Sequence, residues 1–330
     1  MAVQFGKQAA RYFTRPHVAV PTQALSTPAA WYGADFADRL PVSRFTDDEI
    51  EELETVAGKL VGEDASIHSV GREDFPLERV APRLHDAIEE VAHGRGFVVL
   101  RGLPVERWGE SLTSMVCWGL GHVLGEPGEQ NPDGERLGHV RDYGEEAEHP
   151  MVRRYRTSGN IDFHCDGADA VGLLCLRTAQ SGGQSRIASS VTVFNELLAA
   201  RPDLVARLFE PMHLDRRDEE RPGQPPCTPI QPACFDGEVL RTFYHSEYYR
   251  SAERHPGYGL DAAARALLDA YDQIANREDV RLDIWLEPGD LQIVSNHTVV
   301  HARTAYVDHE SRALKRHLLR LWLSFRGEQT

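Results

Sequence analysis

The segment Asn160-Ile161-Asp162-Phe163-His164-Cys165-Asp166-Gly167 holds an imidazole and a carboxylate two positions apart. On an extended strand, residues two apart point to the same face. A nitrogen of His164 and an oxygen of Asp166 can therefore reach one metal ion. A third ligand must come from elsewhere in the chain. Two histidines and one carboxylate on one face leave open coordination positions, which suits Fe(II) that must also bind O2 and a substrate.

The His-x-acid spacing carries little information alone. With 15 His and 51 Asp plus Glu, roughly two such triplets arise by chance. Three occur: His164-x-Asp166, His213-x-Asp215 and His245-x-Glu247. His213 lies in a charged run, His213-Leu214-Asp215-Arg216-Arg217-Asp218-Glu219-Glu220, that reads as solvated surface. His245 sits among Tyr244, Tyr248 and Tyr249, which can pack in a core or wall an apolar part of a substrate. Only His164 is preceded by a probable strand and followed directly by an apolar one.

The elements that must position this site follow from the pattern. Thr46 to Glu49 is a capping box opening a helix to about Leu60, and Leu84–His93 and Trp108–Leu124 read as helices. Phe97–Arg101 lies between glycines and reads as a buried strand. Val171–Leu176, Ser185–Ser190, Arg281–Leu286, Leu291–Ser295, Thr298–Arg303 and Leu318–Phe325 are further strands. Val193–Glu210 is helical with a break at Pro202, and Asp261–Asn276 is helical. Residues 213–232 read as an exposed loop, and Asp236-Gly237 as a hairpin turn. Helices dominate the first third and short strands the rest, with no glycine-rich nucleotide loop. The pattern predicts a mainly β fold with α, a jelly roll flanked by helices. It predicts a single domain over 1–330, with an N-terminal arm at 1–45 and the motif-bearing core at 96–325. The arm carries Lys7, Arg11 and Arg15 and no acid before Asp35. Its prolines and lack of amphipathic period argue against a transit peptide.

Composition narrows the function classes. The 330 residues hold 36 basic and 51 acidic side chains, a net charge of −15. That balance repels a phosphate backbone and disfavours nucleic acid as a partner. Mean hydropathy is −0.42, and no apolar run approaches the ~20 residues of a membrane span. Five cysteines without metal or disulfide spacing fit a reducing cytoplasm.

Four segments in order resemble the taurine dioxygenase/clavaminate synthase-like superfamily of Fe(II)- and 2-oxoglutarate-dependent oxygenases. They are Asn160–Asp166, Gly182-Gly183-Gln184-Ser185, Asn296–Thr304 and Arg316–Arg320, within a resemblance that covers roughly residues 96–325. It implies a facial triad of His164, Asp166 and His301 on Fe(II), with His297 the rival to His301. It implies Arg320 for the distal carboxylate of 2-oxoglutarate, with Arg316 the competing residue, more structural or surface in role. Ser185 matches a hydroxyl that also contacts this co-substrate. Asn160 matches a position lining the substrate side. A guanidinium fork suits a buried carboxylate because it donates two parallel hydrogen bonds.

The implied activity is hydroxylation, or a related oxidation, of an unactivated C–H bond in a small molecule. 2-Oxoglutarate and O2 would become succinate, CO2 and oxidised product. Asn160, His139 and Tyr244 are candidate substrate contacts, together with Gln130 and Asn131. Arg141, Arg153, Arg154 and Arg156 form a basic patch that points to an anionic group. Residues 213–232 and 128–148 are candidate lids. An amino acid or a natural-product intermediate fits as substrate, and a homo-oligomer fits the family. The alternatives are a cupin-like metalloenzyme that needs no 2-oxoglutarate, or a non-catalytic binding module on the same fold.

Asp166 itself makes a prediction. In halogenating relatives a small residue replaces this carboxylate and leaves a site for halide. With iron, 2-oxoglutarate, O2, substrate and chloride, mass spectrometry should find oxygenated and no chlorinated product. A chlorinated product would contradict the reading.

Overall fold

The computed structural model describes residues 15–36, 39–131, 133–145 and 152–325. Eleven strands form its two main sheets. They are β1 (Val42–Arg44), β2 (Phe97–Arg101), β3 (Glu126–Pro127), β4 (Leu137–Val140), β5 (Ile161–His164), β6 (Ala170–Arg177), β7 (Ser185–Ser189), β8 (Arg281–Ile284), β9 (Leu291–Ser295), β10 (Val299–Arg303) and β11 (His317–Ser324). The larger sheet has the order β1-β2-β9-β6-β11-β3, with β4 also paired to β11. The smaller sheet has the order β8-β7-β10-β5. The mainly β reading with flanking helices therefore holds.

Period-2 alternation sorts the side chains of each strand into two layers. On β11, Leu319, Leu321 and Leu323 join the core under the N-terminal helices. Leu318, Arg320 and Trp322 point the other way, toward the second sheet. The helices over this sheet are α1 (Asp47–Gly62), α2 (Ala81–His93) and α3 (Val105–Leu124). The capping box of α1 forms as predicted: the Thr46 amide donates to Glu49 at 2.7 Å, and the Glu49 amide donates to Thr46 Oγ1 at 3.3 Å. Helices α4 (Ser190–Ala200), α5 (Pro202–Leu208), α6 (Ser246–Ser251) and α7 (Ala262–Ala275) lie in the second half. Phe194, Leu197, Leu268 and Tyr271 from α4 and α7 pack with Val300 of the smaller sheet in a second core. A third apolar cluster, including Phe97, Val171, Ile187, Val294 and Trp322, joins residues of the two sheets.

The described part of the arm is tied to this frame. Arg15 pairs with buried Asp169 at 3.2 Å, and the Trp31 indole donates to the Arg95 carbonyl at 2.7 Å. Lys7 and Arg11 lie outside the described residues. The reading of 213–232 as a loop needs correction. Met212–Asp215 and Cys227–Ile230 pair as antiparallel strands, because buried Met212, Cys227 and Ile230 anchor the ends of an otherwise charged excursion.

Buried His317 and half-buried His139 pair on the helix side of β11 and β4, with His139 Nδ1 2.8 Å from His317 Nε2. Burial, then His139 and Arg177, push the His317 pKa down to about 3. Burial also lowers that of His139. The unfolded chain takes up protons near pH 6.5 that the folded pair refuses. This contribution to stability is full above about pH 6.5 and is lost as pH falls toward about 3. Melting temperature should fall between pH 7.5 and 5, with a shallower slope in His317→Gln. Equal slopes in the two proteins would contradict this.

Candidate active site

β5 and β10 pair so that His164 stands directly opposite His301. Cross-strand partners share a face, and the two ring centroids are 4.3 Å apart. The chain turns after β5, where the Asp166 amide donates to Asn296 Oδ1 at 2.9 Å. This sets Asp166 Oδ2 at 3.5 Å from His301 Nε2 and Oδ1 at 3.9 Å from His164 Nε2. One donor atom from each residue lies within 4.8 Å of the other two. His164 Nδ1 is 2.8 Å from the Asp162 carbonyl. A carbonyl only accepts, so Nδ1 carries the proton and Nε2 presents its lone pair to the cluster.

The charge states suit a metal. Burial, then His301, pushes the His164 pKa down to about 4, so the ring is neutral near pH 7. Burial alone would raise Asp166, but Arg320, His301 and His164 outweigh it and hold the carboxyl well below its usual range. Asp166 Oδ2 is buried without a hydrogen-bond partner. Two imidazoles, that of His164 neutral, beside an ionised carboxylate with a spare oxygen are a donor set for a divalent ion.

The cluster lines a cavity of about 980 Å³. Arg320 reaches it from β11, its guanidinium lying over Tyr155 at 4.3 Å and Trp322 at 5.3 Å. Its Nε donates to Gln130 Oε1 at 2.7 Å, and Gln130 Nε2 donates back to the Arg320 carbonyl at 2.7 Å. Nη1 stands 4.0 Å from Asp166 Oδ1. Arg316 also lines the cavity and is buried, not a surface residue, and its Nη1 has no hydrogen-bond partner. The Gly182-Gly183 turn makes room for it. Both glycines have φ of 73°, and a Cβ on Gly183 would come within 3.0 Å of Arg316 Nε. Arg303 lines the same cavity, and burial, then Arg316, pushes its pKa down to about 9. Ser185 lines it too and donates to Gln292 Oε1 at 2.7 Å.

The three expected substrate contacts lie elsewhere. His139 stands opposite Leu319 in the ladder, on the helix side of the sheet, and its neighbour Val140 lines the cavity instead. Tyr244 is fully buried, stacked on Tyr271 at 3.9 Å, and donates to Asp272 Oδ1 at 2.7 Å. The neighbours that line the cavity are Phe243 and His245. Asn160 is exposed, and its amide donates to Asp162 Oδ1 at 2.6 Å. Gln130 holds Arg320, while Asn131 does line the cavity.

The basic patch is neutralised locally. Arg153 pairs with Glu219, Arg154 with Glu247 at 3.0 Å, and Arg156 with Glu145 at 2.7 Å. Arg141 lies over Tyr143 at 4.9 Å. His297 is separated from the cluster, its Nε2 being 2.9 Å from Asp169 Oδ1. Buried Cys165 directs its thiol to the Thr242 and Val299 carbonyls. Both predicted lid segments contribute to the cavity wall, through Leu214–Arg217 on one side and Glu129 and Asn131 on the other. Residues 132 and 146–148 of the second lie outside the described residues.

His245 is the site residue that the sequence did not separate from its alternatives. It bridges to His164, with ring centroids 5.1 Å apart, and stacks on Tyr248 at 3.5 Å. Burial, then His164, holds its pKa well below the usual value, and Nδ1 is buried without a hydrogen-bond partner. Two other donor clusters occur among the described residues. In Asp215, Cys227 and His255, the carboxylate is taken by Arg254 at 2.6 Å and His255 at 3.1 Å. In Glu110, His139 and His317, Arg177 is 3.1 Å from His317 Nδ1 and disfavours a second cation.

Residues 62–322 match the family described as "Taurine catabolism dioxygenase TauD, TfdA family". The chain is 32% identical over 279 residues to FR-33289 synthase of Streptomyces rubellomurinus, covering 83% of this chain and 82% of that protein. Its fold is similar to that of asparagine oxygenase in complex with Fe(II), 2S,3S-3-hydroxyasparagine and succinate. That TM-score is 0.69 at 20% identity, over 86% of this chain and 94% of the other. It is also similar to the non-heme iron oxygenase OrfP in complex with Fe and alpha-ketoglutaric acid. There the TM-score is 0.63 at 17% identity, over 86% and 94% of the two chains.

Proposed function

The chain belongs to the TauD/TfdA family of Fe(II)- and 2-oxoglutarate-dependent dioxygenases, and on that premise we propose that His164, Asp166 and His301 hold its iron. The observation that carries this reading is the convergence of these three donors at the wall of the large cavity. We read the two sheets on either side of the cavity as a jelly roll, which their strand orders support. Bound iron, with 2-oxoglutarate and O2, supplies an oxidant that attacks an unactivated C–H bond and leaves succinate and CO2.

The protein's own part is placement and charge. The Asp162 carbonyl keeps the His164 proton on Nδ1 and its Nε2 free. Arg320 keeps Asp166 ionised. Arg316 and Ser185 receive the distal carboxylate of 2-oxoglutarate, Arg316 taking precedence over Arg320. That carboxylate is two methylenes away from the chelating keto acid. Arg320 Nη1 is 4.0 Å from a proposed ligand oxygen, too close to the metal to hold the far end. Arg316 offers a buried N–H without a partner and has Ser185 on the same cavity wall.

Arg320 then faces the substrate, between Tyr155 and Trp322. Val171, Leu173, Leu286 and Leu318 give the cavity an apolar wall that limits water near the reacting C–H. A small molecule with an acidic group for Arg320 and an apolar body for this wall fits the space, and amino acids and natural-product intermediates are such molecules. The described parts of the two predicted lids that wall the cavity, Leu214–Arg217 on the one and Glu129 and Asn131 on the other, close over it.

Iron-loaded protein given 2-oxoglutarate and O2 should form succinate and CO2 in equal amounts, slowly without substrate. His164→Ala and Asp166→Ala should reduce this to about 1% or less. Arg316→Met should raise KM for 2-oxoglutarate by about tenfold or more, and Arg320→Met should raise it far less. Absence of succinate from folded, iron-loaded wild type would contradict the proposal. A larger KM effect from Arg320→Met would return the carboxylate to Arg320.

A further inference from the structure

Arg303 has no role in the account so far, yet its environment demands one. It follows His301 by two positions on β10, and both line the cavity. In the ladder it stands directly opposite Ser185. Its relative exposure is 6%. Nη2 donates to the Thr157 carbonyl at 2.9 Å and to that of Gly159. Nε and Nη1 are buried without a hydrogen-bond partner.

A second cation lies close by. The Arg303 and Arg316 guanidinium carbons are 4.8 and 5.1 Å from the centre of the same Tyr306 ring. Arg316 Nη1, the Tyr306 hydroxyl and Gln292 Nε2 are also buried without partners. Among the described residues, five donor atoms from four side chains at or beside this end of the cavity therefore have no hydrogen-bond partner. Burying a cation without an anion costs several kcal/mol, and two neighbouring cations also repel. Holding two carbonyls needs only Nη2 and does not account for the other two donors of the fork. An anion held jointly by the two guanidiniums would offset both charges and take up a free N–H of each.

We propose that Arg303 is a second cation for the distal carboxylate of 2-oxoglutarate, beside Arg316, and that it ties the filling of this site to the Thr157–Asn160 segment leading into the His164 strand. This rests on the reading of Arg316 and Ser185 given above. One guanidinium then reaches the co-substrate through a single N–H, from Nε or Nη1, and holds the start of β5 through Nη2. Arg303 is thus a positioning residue as well as a binding one. Co-substrate binding would steady the segment that carries the metal ligands His164 and Asp166.

Anaerobic calorimetry on Fe(II)-loaded enzyme tests this with two keto acids. 2-Oxoglutarate carries the distal carboxylate, and 2-oxobutyrate chelates in the same way but lacks it. Arg303→Met should weaken 2-oxoglutarate by about tenfold to a hundredfold, the scale of charged hydrogen bonds. It should leave 2-oxobutyrate within about twofold. Arg303→Lys, which keeps the charge and loses the fork, should weaken 2-oxoglutarate selectively but less. It carries the test if the Met variant does not fold. Equal weakening of both acids means a structural clamp only and overturns the proposal, as does no weakening of either. If wild type binds the two acids equally, the distal site itself is wrong and the underlying reading fails with it. Hydrogen exchange at saturating 2-oxoglutarate should show protection of residues 157–164 in wild type and its loss in Arg303→Lys. Equal protection in both overturns the coupling.

Discussion

The site depends on one antiparallel pairing, that of β5 with β10. It sets His164 directly across from His301, although 136 residues of chain lie between them. A slip of one residue would turn every side chain of β5 to the opposite face and separate the two imidazoles. The pairing is held from several sides. β10 is also laddered to β7 over five residues, and the turn after β5 is fixed by Asn296 on the Asp166 amide. Asp169, a few residues further on, is gripped by His297, by Arg15 from the arm and by the Phe325 amide. These contacts tie the ends of the catalytic strands to the first and last described parts of the chain.

On that frame the cavity is divided by charge. At the proposed metal end His164 is kept neutral by burial while the Asp166 carboxylate is kept ionised by Arg320. At the other end two buried arginines have N–H groups without partners among the described residues, and in our proposal they receive the distal carboxylate of 2-oxoglutarate. The chain as a whole carries −15, so this positive interior is a local feature built against the average. Arg320 stands between the two ends. Its pairing with Gln130 fixes the direction of the fork, and the two aromatic rings beside it restrict its sideways movement.

Much of this was legible in the sequence, and the failures have physical causes. The iron triad and Ser185 were nominated from four motifs in order, and the strands that carry them lie where apolar runs predict. His139 and Tyr244 were nominated by residue type and Asn160 by its matching position, and neither gives the direction of a side chain. His139 and Val140 are adjacent on β4, so one faces the helices and the other the cavity. Tyr244 lies beside Phe243 and His245, which line the cavity, while its own ring sinks into the helical core against Tyr271. The basic patch at 153–156 was real as sequence, but its carboxylate partners come from Glu145, Glu219 and Glu247, up to 93 residues away. Arg303 was visible as a letter only, and His245 only as one of three weak His-x-acid matches. Their importance lies in buried atoms without partners, which no spacing reveals.

The central claim is that His164, Asp166 and His301 hold iron that 2-oxoglutarate chelates. The most direct measurement is an anaerobic titration of Fe(II)-loaded protein with 2-oxoglutarate, following the visible metal-to-ligand charge-transfer band. The account predicts a saturable band in wild type and its loss in His164→Ala and His301→Ala, with His297→Ala retaining it. A band that survives loss of either proposed ligand, or no band in folded iron-loaded wild type, would contradict it.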